Sequence, residues 1–313
     1  TNNPTVNITV SSSTDNGGGS GLAGYAFTET AAVPAEGSFT TPWTDTASIN
    51  LSSILTTVVE GSNSVYYHVI DTAGNRSSGP DLDSIIYDTV PPADFTAGAV
   101  VTTGETITPN YWNSTNTGGT IIIPVADDLT LDGGTLQLQA MATDGSWDNI
   151  GSTVNIESTD IPSSNPYAFD AADIEGLTDF GEGDEIQFRA VITDAAENSK
   201  VGNVSATILA VDEVSPTSVF GIVPTAVNAA GASSVDIDTT GTEDTGTNAS
   251  GIVSYEITEN LTPSGSWTDW VATPPADPYD FSVMFSGDGE KTVYLHVRDA
   301  AGNVNTVDAN SWD

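Results

Sequence analysis

Cysteine is absent, and only five Lys and Arg stand against 43 Asp and Glu, giving a formal charge of −38 over 313 residues. Without thiols the chain has neither disulfides nor thiolate metal sites, which on this ground alone leaves the compartment open. The shortage of cations excludes nucleic acid and anionic membrane surfaces as partners, because a polyanion would have to approach a polyanion. Cations are the natural counterpart. No run approaches the roughly 18 apolar residues of a membrane span, so direct membrane insertion is not expected. Thr1-Asn2-Asn3-Pro4 opens without a signal-peptide pattern, and the sequence therefore reads as a mature or excised piece. Helical periodicity is missing throughout. So are a Ser/His/Asp arrangement, a Gly-rich phosphate loop and a dinucleotide fingerprint. Carboxylate pairs are no sign of a glycosidase here, since among 43 acids some pair always lies at a suitable distance. No enzyme is expected.

What is present is a β pattern. Hydrophobic residues make up 38% and aromatics 8%, set in alternating runs, which is enough to bury cores and argues against disorder. One run occurs three times: Val65-Tyr66-Tyr67-His68-Val69-Ile70-Asp71-Thr72-Ala73-Gly74-Asn75, Ile186 to Asn198, and Val293 to Asn303. Val65, Tyr67 and Val69, then Ile186, Phe188, Ala190 and Ile192, then Val293, Leu295 and Val297 fall on every second position, one face toward a core and the other toward water. Each run ends in Asp-x-Ala-Gly-Asn, a tight turn in which the Asp accepts backbone N–H groups and Gly or Asn tolerates positive φ. In the middle copy Glu197 replaces the Gly, so that turn is either strained or of another shape.

Around these runs the chain divides into residues 1–90, 91–213 and 214–313. The boundaries fall at Asp88-Thr89-Val90-Pro91-Pro92 and Asp212-Glu213-Val214-Ser215-Pro216, where prolines cannot donate to a sheet ladder. The middle unit is longer and carries loop insertions. Ser20-Gly21-Leu22-Ala23-Gly24-Tyr25 aligns with Ser250-Gly251-Ile252-Val253-Ser254-Tyr255, and Gly37-Ser38-Phe39 with Gly145-Ser146-Trp147 and Gly265-Ser266-Trp267. About seven short strands per hundred residues, with turns between, indicate antiparallel sandwiches. Among the expected strands are Pro4 to Val10, Thr120 to Val125, Thr135 to Met141, Tyr167 to Ile174 and Val304 to Trp312.

Ser-Gly-apolar-x-x-Tyr, then Gly-Ser-Trp, then an alternating strand closed by Asp-x-Ala-Gly-Asn, then Asp-x-x-Pro-Pro, resembles the tandem immunoglobulin-like and fibronectin-III-like repeats of bacterial adhesins and other prokaryotic surface proteins. The resemblance implies an all-β tandem array of three seven-stranded antiparallel sandwiches. It further implies an extended rod at the cell surface or in a filament, partnered by neighbouring repeats or subunits and often stiffened by calcium at the junctions. In that frame Pro4 to Val10 takes the place of the second strand, so the first strand of the first unit looks absent. Either it precedes this piece, or one run serves both sheets, or another subunit donates it by edge pairing.

In a seven-stranded sandwich the B–C loop, the F–G turn and the incoming linker gather at one end. Those segments are acidic here. For the first junction they hold Asp88, then Asp127, Asp128 and Asp132, then Asp194. For the second they hold Asp212 and Glu213, then Glu243 and Asp244, then Asp299. Asp15 and Asp71 take the matching places at the free tip of the first unit. Clusters of hard oxygen ligands suit Ca²⁺; the plainer reading is that each Asp caps its own turn. His68 and His296, three residues before the turn Asp, are expected to be solvated strand residues. Phe39, Trp147 and Trp267 read as core anchors, while Trp43, Trp112 and Trp270 lack that register and are the better candidates for a glycan-binding face. Asn7-Ile8-Thr9, Asn113-Ser114-Thr115 and Asn260-Leu261-Thr262 are sequons that permit glycosylation. The sequence thus points to an extracellular, non-enzymatic stalk, surface-layer or filament segment, with a glycan- or receptor-binding module as the alternative.

Overall fold

Alternating side chains and Gly- or Asp-rich turns make short strands, and the computed structural model shows an all-β chain. It describes residues 1–3, 5–9, 13–15, 17–39, 46–143, 146–223, 231–263, 271–283 and 289–312; for residues 7, 9, 46–49, 233, 283 and 306–312 it describes the backbone alone. Residues 1–90 carry β1 (Thr5–Thr9), β2 (Leu22–Thr28), β3 (Thr46–Asn50), β4 (Gly61–Asp71) and β5 (Asp81–Tyr87). These form a two-stranded sheet β1-β3 and a three-stranded sheet β2-β4-β5, both antiparallel.

Residues 91–213 hold β6 (Val100–Gly104), β7 (Tyr111–Trp112), β8 (Asn116–Val125), β9 (Thr135–Met141), β10 (Asp148–Asn155), β11 (Ser163–Asp170), a short helix α1 (Ala171–Glu175), β12 (Glu185–Thr193), β13 (Ser199–Val201) and β14 (Leu209–Val211). One sheet runs β11-β8-β6, the other β10-β9-β12-β14-β7 with β13 beside β12. Their facing side chains join in one apolar cluster, including Ile121, Ile123 and Phe169 from the first and Leu136, Leu138, Ile186 and Phe188 from the second. The Phe169 and Phe188 rings stack across it with centroids 5.5 Å apart. The stretch that opens this unit serves both sheets: β6 pairs with β8 antiparallel, and β7 then pairs with β14 in parallel.

Residues 214–313 hold β15 (Gly221–Val223), β16 (Asp236–Asp238), β17 (Ile252–Thr258), β18 (Lys291–Asp299) and β19 (Val304–Trp312), in sheets β15-β16 and β17-β18-β19. Phe220, Ile222, Val235, Phe281, Val293, Leu295 and Val297 make a second apolar cluster there. Among the described residues the three stretches thus show five, nine and five strands, and no helix is long and apolar enough to cross a membrane.

Several expectations need correcting. The strand expected over Tyr167 to Ile174 ends at Asp170, because a capping box starts α1. The Asp170 carboxylate accepts the Asp173 N–H, and the Asp173 carboxylate accepts the Asp170 N–H. Ile174 is then buried on the helix. Alternation holds in β12 and β18, where Ile186, Phe188, Ala190, Ile192, Val293, Leu295 and Val297 are buried. In β4 Val65, Tyr67 and Val69 are half-buried, and His68 and Ile70 on the opposite face are buried.

Neither histidine is solvated, both being 0% exposed. The Thr28 hydroxyl donates to the Thr30 carbonyl, so the His68 Nε2–H donates to Thr28 Oγ1 at 3.0 Å. His296 Nε2 donates to the Asn260 carbonyl at 3.1 Å. Each ring pins the segment leaving the neighbouring strand, and period two could not report that this segment folds over the outward face. Burial holds the His296 imidazole below its ordinary pKa.

Residues 1–3 are paired as well. The Thr1 nitrogen donates to the Ile86 carbonyl and Asp88 N–H to the Thr1 carbonyl. This is the pattern of β7 on β14, where Ala210 N–H donates to Asn110 and Asp212 N–H to Trp112. Thr1 therefore stands where Trp112 stands, beside the last strand of its unit, and the other edge of β1 has no paired strand among the described residues.

The repeated turn has one shape in all three copies. Asp71, Asp194 and Asp299 each accept, on a side-chain oxygen, the N–H of the Asn four positions on (Asn75, Asn198 and Asn303) at 2.8, 2.9 and 2.8 Å. The other carboxylate oxygen accepts that Asn's Nδ2. Gly74 and Gly302 sit at φ 89° and 98°, and Glu197 is held at φ 74° in the same place. The turn at Glu197 is thus the strained one. Relieving a left-handed non-glycine residue is worth about 1 kcal/mol, so Glu197→Gly is expected to raise the melting temperature in a thermal scan, with no change in the far-UV circular dichroism.

Candidate metal centre

The last strand of a unit delivers an Asp to the turn of the next. Asp88 follows β5 and Asp212 follows β14, and both are buried, at 6% and 1% exposure. Asn198 Nδ2 donates to the Asp88 carbonyl at 3.0 Å, and Asn303 Nδ2 to the Asp212 carbonyl at 2.8 Å. One side chain therefore closes its own turn and grips the incoming linker.

At the second junction the acids converge. Asp212, Asp244 and Asp299 each place an oxygen within 4.8 Å of the others. Backbone donors fix them: Ser250 N–H donates to Asp212 Oδ2 at 2.9 Å, Gly251 N–H to Asp244 Oδ2 at 2.6 Å, and Gly302 N–H to Asp299 Oδ1 at 2.7 Å. Asp212 Oδ1 and Asp244 Oδ1 are buried with no hydrogen-bond partner among the described residues, as is Glu182 Oε1 nearby. Burial, with Asp212 and Asp244 adding repulsion, pushes the Asp299 carboxyl up to about 6. Burial raises Asp244 and Glu182 too, again with Asp212 beside them. Orphaned buried carboxylate oxygens are costly unless something positive meets them. In the first stretch the same turn behaves oppositely: Asp71 is held below the ordinary carboxylate range by its bonds from Asn75.

The other acids of the expected sites are placed differently. Asp194 is buried and meets the linker through Asn198, but Asp127 and Asp132 are exposed. Asp128 caps the turn Leu129–Leu131 by accepting the Thr130 N–H and hydroxyl. Hence among the described residues the first junction gathers no group of three acids. It instead borders a cleft of about 540 Å³ lined by Thr1, Ile86, Asp88, Leu129, Asp132 and Ala196. Glu213 is half-buried and raised by burial, its N–H donating to Glu182, and exposed Glu243 pairs through its backbone with Thr217. Neither joins the three. Asp15 Oδ2 accepts the Gly21 N–H at 2.7 Å, as Asp244 does from Gly251.

Glu182 was missed because it precedes β12, at the opposite pole from that unit's own turn. Antiparallel pairing of Glu185 with Ala210 brings that pole to the end of β14, and so to Asp212. Asn113, read as a sequon, is 1% exposed and donates to the Ala301 carbonyl at 2.7 Å, which takes it out of reach of glycosylation. Trp112 is fully buried and leaves the glycan candidates, while Trp43, Trp267 and Trp270 lie outside the described residues. Trp147 is no core anchor: it is half-buried with the Arg189 guanidinium 4.0 Å above its ring.

Gly302 packs tightly at this junction. A Cβ there would lie 2.6 Å from Thr106 Cγ2 and 2.8 Å from Thr108 Oγ1, whereas one on Gly74 would meet nothing within 4 Å. Both have positive φ. Gly74→Ala is expected to cost about 1 kcal/mol of backbone strain, and Gly302→Ala about 2 kcal/mol, the excess belonging to the contact between units. Chemical denaturation of the two variants measures the difference.

No family model matches the chain, and no curated protein matches it. Among solved structures, a chain from a 1.5-MDa bacterial ice-binding adhesin, solved in work on its retention at the host cell surface, is similar over 93% of this chain and 85% of that one, at 16% identity and a TM-score of 0.32. A likeness at that level leaves fold and function to be argued from this chain's own residues.

Proposed function

We propose that the chain is a non-enzymatic structural segment of an extracellular surface protein, a stalk, surface-layer or filament piece, built of three tandem immunoglobulin-like sandwiches that meet near residues 90 and 213. Calcium stiffens the second junction. The observation that carries this reading is the meeting of Asp212, Asp244 and Asp299, from three separate segments, around buried oxygens that have no partner among the described residues. The donor set fits the ion, for it is all hard oxygen, and Ca²⁺ takes 6 to 8 such ligands from carboxylates, carbonyls and water. Asp212, Asp244 and Asp299 would hold it, with Glu182 at the rim. A bound dication offsets the repulsion that otherwise drives linker, loop and turn apart. The grip of Asn198 and Asn303 on the linker carbonyls supports the same reading, since it fixes the angle between successive units at either junction.

Small-angle scattering in calcium and in EDTA tests it. A longer maximum dimension and a narrower distribution of shapes are expected with calcium. Superimposable profiles would count against the stiffening.

A further inference from the structure

The outward face of β10, β9 and β12 carries groups that neither the core nor a junction uses. Gln137, Gln139, Gln187 and Arg189 point out there, alternating with the buried Leu138 and Phe188. Register sets Asn149, Gln139 and Arg189 side by side on the three strands. They are tied into a line: Arg189 Nε–H donates to Gln139 Oε1 at 2.8 Å, and Gln139 Nε2 to Asn149 Oδ1 at 2.9 Å. The half-buried Trp147 ring lies under the Arg189 guanidinium, 4.0 Å from its centre, and so fixes the plane of the fork. What remains along the line is donors. Among the described residues Arg189 meets no carboxylate, although the chain holds 43 Asp and Glu, and burial alone lowers its pKa. Its two terminal nitrogens and the Asn149 amide nitrogen have no protein partner among the described residues, and Gln139 Nε2 keeps one hydrogen to give.

We propose that this face binds an uncharged glycan chain lying across β10, β9 and β12. The leftover donors call for a ligand with paired acceptors, and neighbouring hydroxyls on a sugar ring are such a pair. Charge narrows the class: a formal −38 repels a polyanionic chain, and a line of amides and one guanidinium has no carboxylate with which to hold a cationic one. Size agrees as well. Strands about 4.8 Å apart make the line about 10 Å long, which is roughly two sugar rings. Because the side chains already hold one another and the Arg189 fork is clamped on Trp147, little rotamer freedom is lost when a ligand arrives. Arg189, Gln139 and Asn149 touch the sugar, and Trp147 is a positioning residue. The site lies on the side of the middle unit and needs no cation, so it is independent of the calcium reading.

Isothermal titration calorimetry of the whole chain in EDTA tests this, with oligosaccharides of glucose, mannose and galactose as uncharged probes and an oligogalacturonate as the charged one. Saturable binding of at least one uncharged probe is expected. Arg189→Gln and Asn149→Ala should each weaken it by about tenfold, the loss of one or two hydrogen bonds. Asn149 is exposed, so its variant keeps the test valid should Arg189→Gln fail to fold. Trp147→Ala should weaken binding with every donor still present, and Trp147→Phe should restore most of it, because a ring again clamps the fork. Silence with every uncharged probe overturns the proposal. Binding as tight in Arg189→Gln and Asn149→Ala as in wild type overturns this face as the site, and binding confined to oligogalacturonate overturns the uncharged ligand.

Discussion

Calcium added to the metal-free protein is expected to raise the melting temperature of the third unit by roughly 10 °C, and Asp212→Asn to abolish the gain. Calcium sites of extracellular modules have dissociation constants on the order of 10⁻⁴ to 10⁻³ M. At ten to a hundred times that concentration, an ion that binds only the folded state adds about 1.4 to 2.7 kcal/mol. For a unit of about 100 residues each kcal/mol moves the melting temperature by about 4 to 8 °C. Asp212 is the informative position. Its Oδ2 accepts from Ser250 and its Oδ1 has no partner among the described residues, so Asn keeps the hydrogen bond and the shape while removing one of three crowded charges. In EDTA the variant should therefore melt slightly above wild type, and in calcium below it. That crossing of the two curves separates a cation site from an acidic patch that merely caps turns. A calorimetric scan in which calcium moves neither protein would remove the metal from the proposed function.

The second large effect runs with pH. Without divalent ions, stability is expected to fall by about 2 to 3 kcal/mol between about pH 4 and pH 7, at about 1.4 kcal/mol for each tenfold difference in proton affinity between the folded and unfolded states. The Asp299 carboxyl is pushed up to about 6, from 3.8 for an ordinary Asp, chiefly by burial. A folded value above the unfolded one means that the folded state binds the proton more tightly. The protonated form is favoured most fully below about 4, and its advantage is lost as pH rises through about 6. Saturating calcium should reverse the slope over the same range, because protons then compete with the ion for the same oxygens. Urea titrations at a series of pH values, with calcium and with EDTA, give both slopes. Parallel curves would show that these carboxylates hold no ion.

How far the sequence could be read is clear from particular residues. The Asp-x-Ala-Gly-Asn turn was legible because its bonds are local, within five residues, and Asp71, Asp194 and Asp299 make them identically. β9 and β19 have the bounds their alternation predicts. By contrast α1 was not legible: five residues are too few for a helical period, and the signal lay in the Asp170 and Asp173 cap. His68 and His296 were misread for a different reason. Alternation reports that a residue points away from one face but not what covers the other.

For the candidate site, three of the twelve expected acids come together. Asp128 and Glu243 show how the rest are used, one capping a turn and the other pairing through its backbone. Composition and spacing placed acids in the linker, loop and turn, yet they did not tell which oxygens would lose water and which would find a backbone N–H.

The sequence by itself determined the all-β character, the repeated turn, the acidic boundary segments and the absence of thiol chemistry, since each depends on residue type and on neighbours along the chain. Only the tertiary structure decided that the turn's Asn would hold the linker carbonyl of the unit before it, and that Glu182 would come up beside Asp212. It also decided that the second junction would concentrate charge while the first opens onto a cleft. Such contacts join residues up to 110 positions apart, and their energies depend on burial and angle, which no local pattern of residues records.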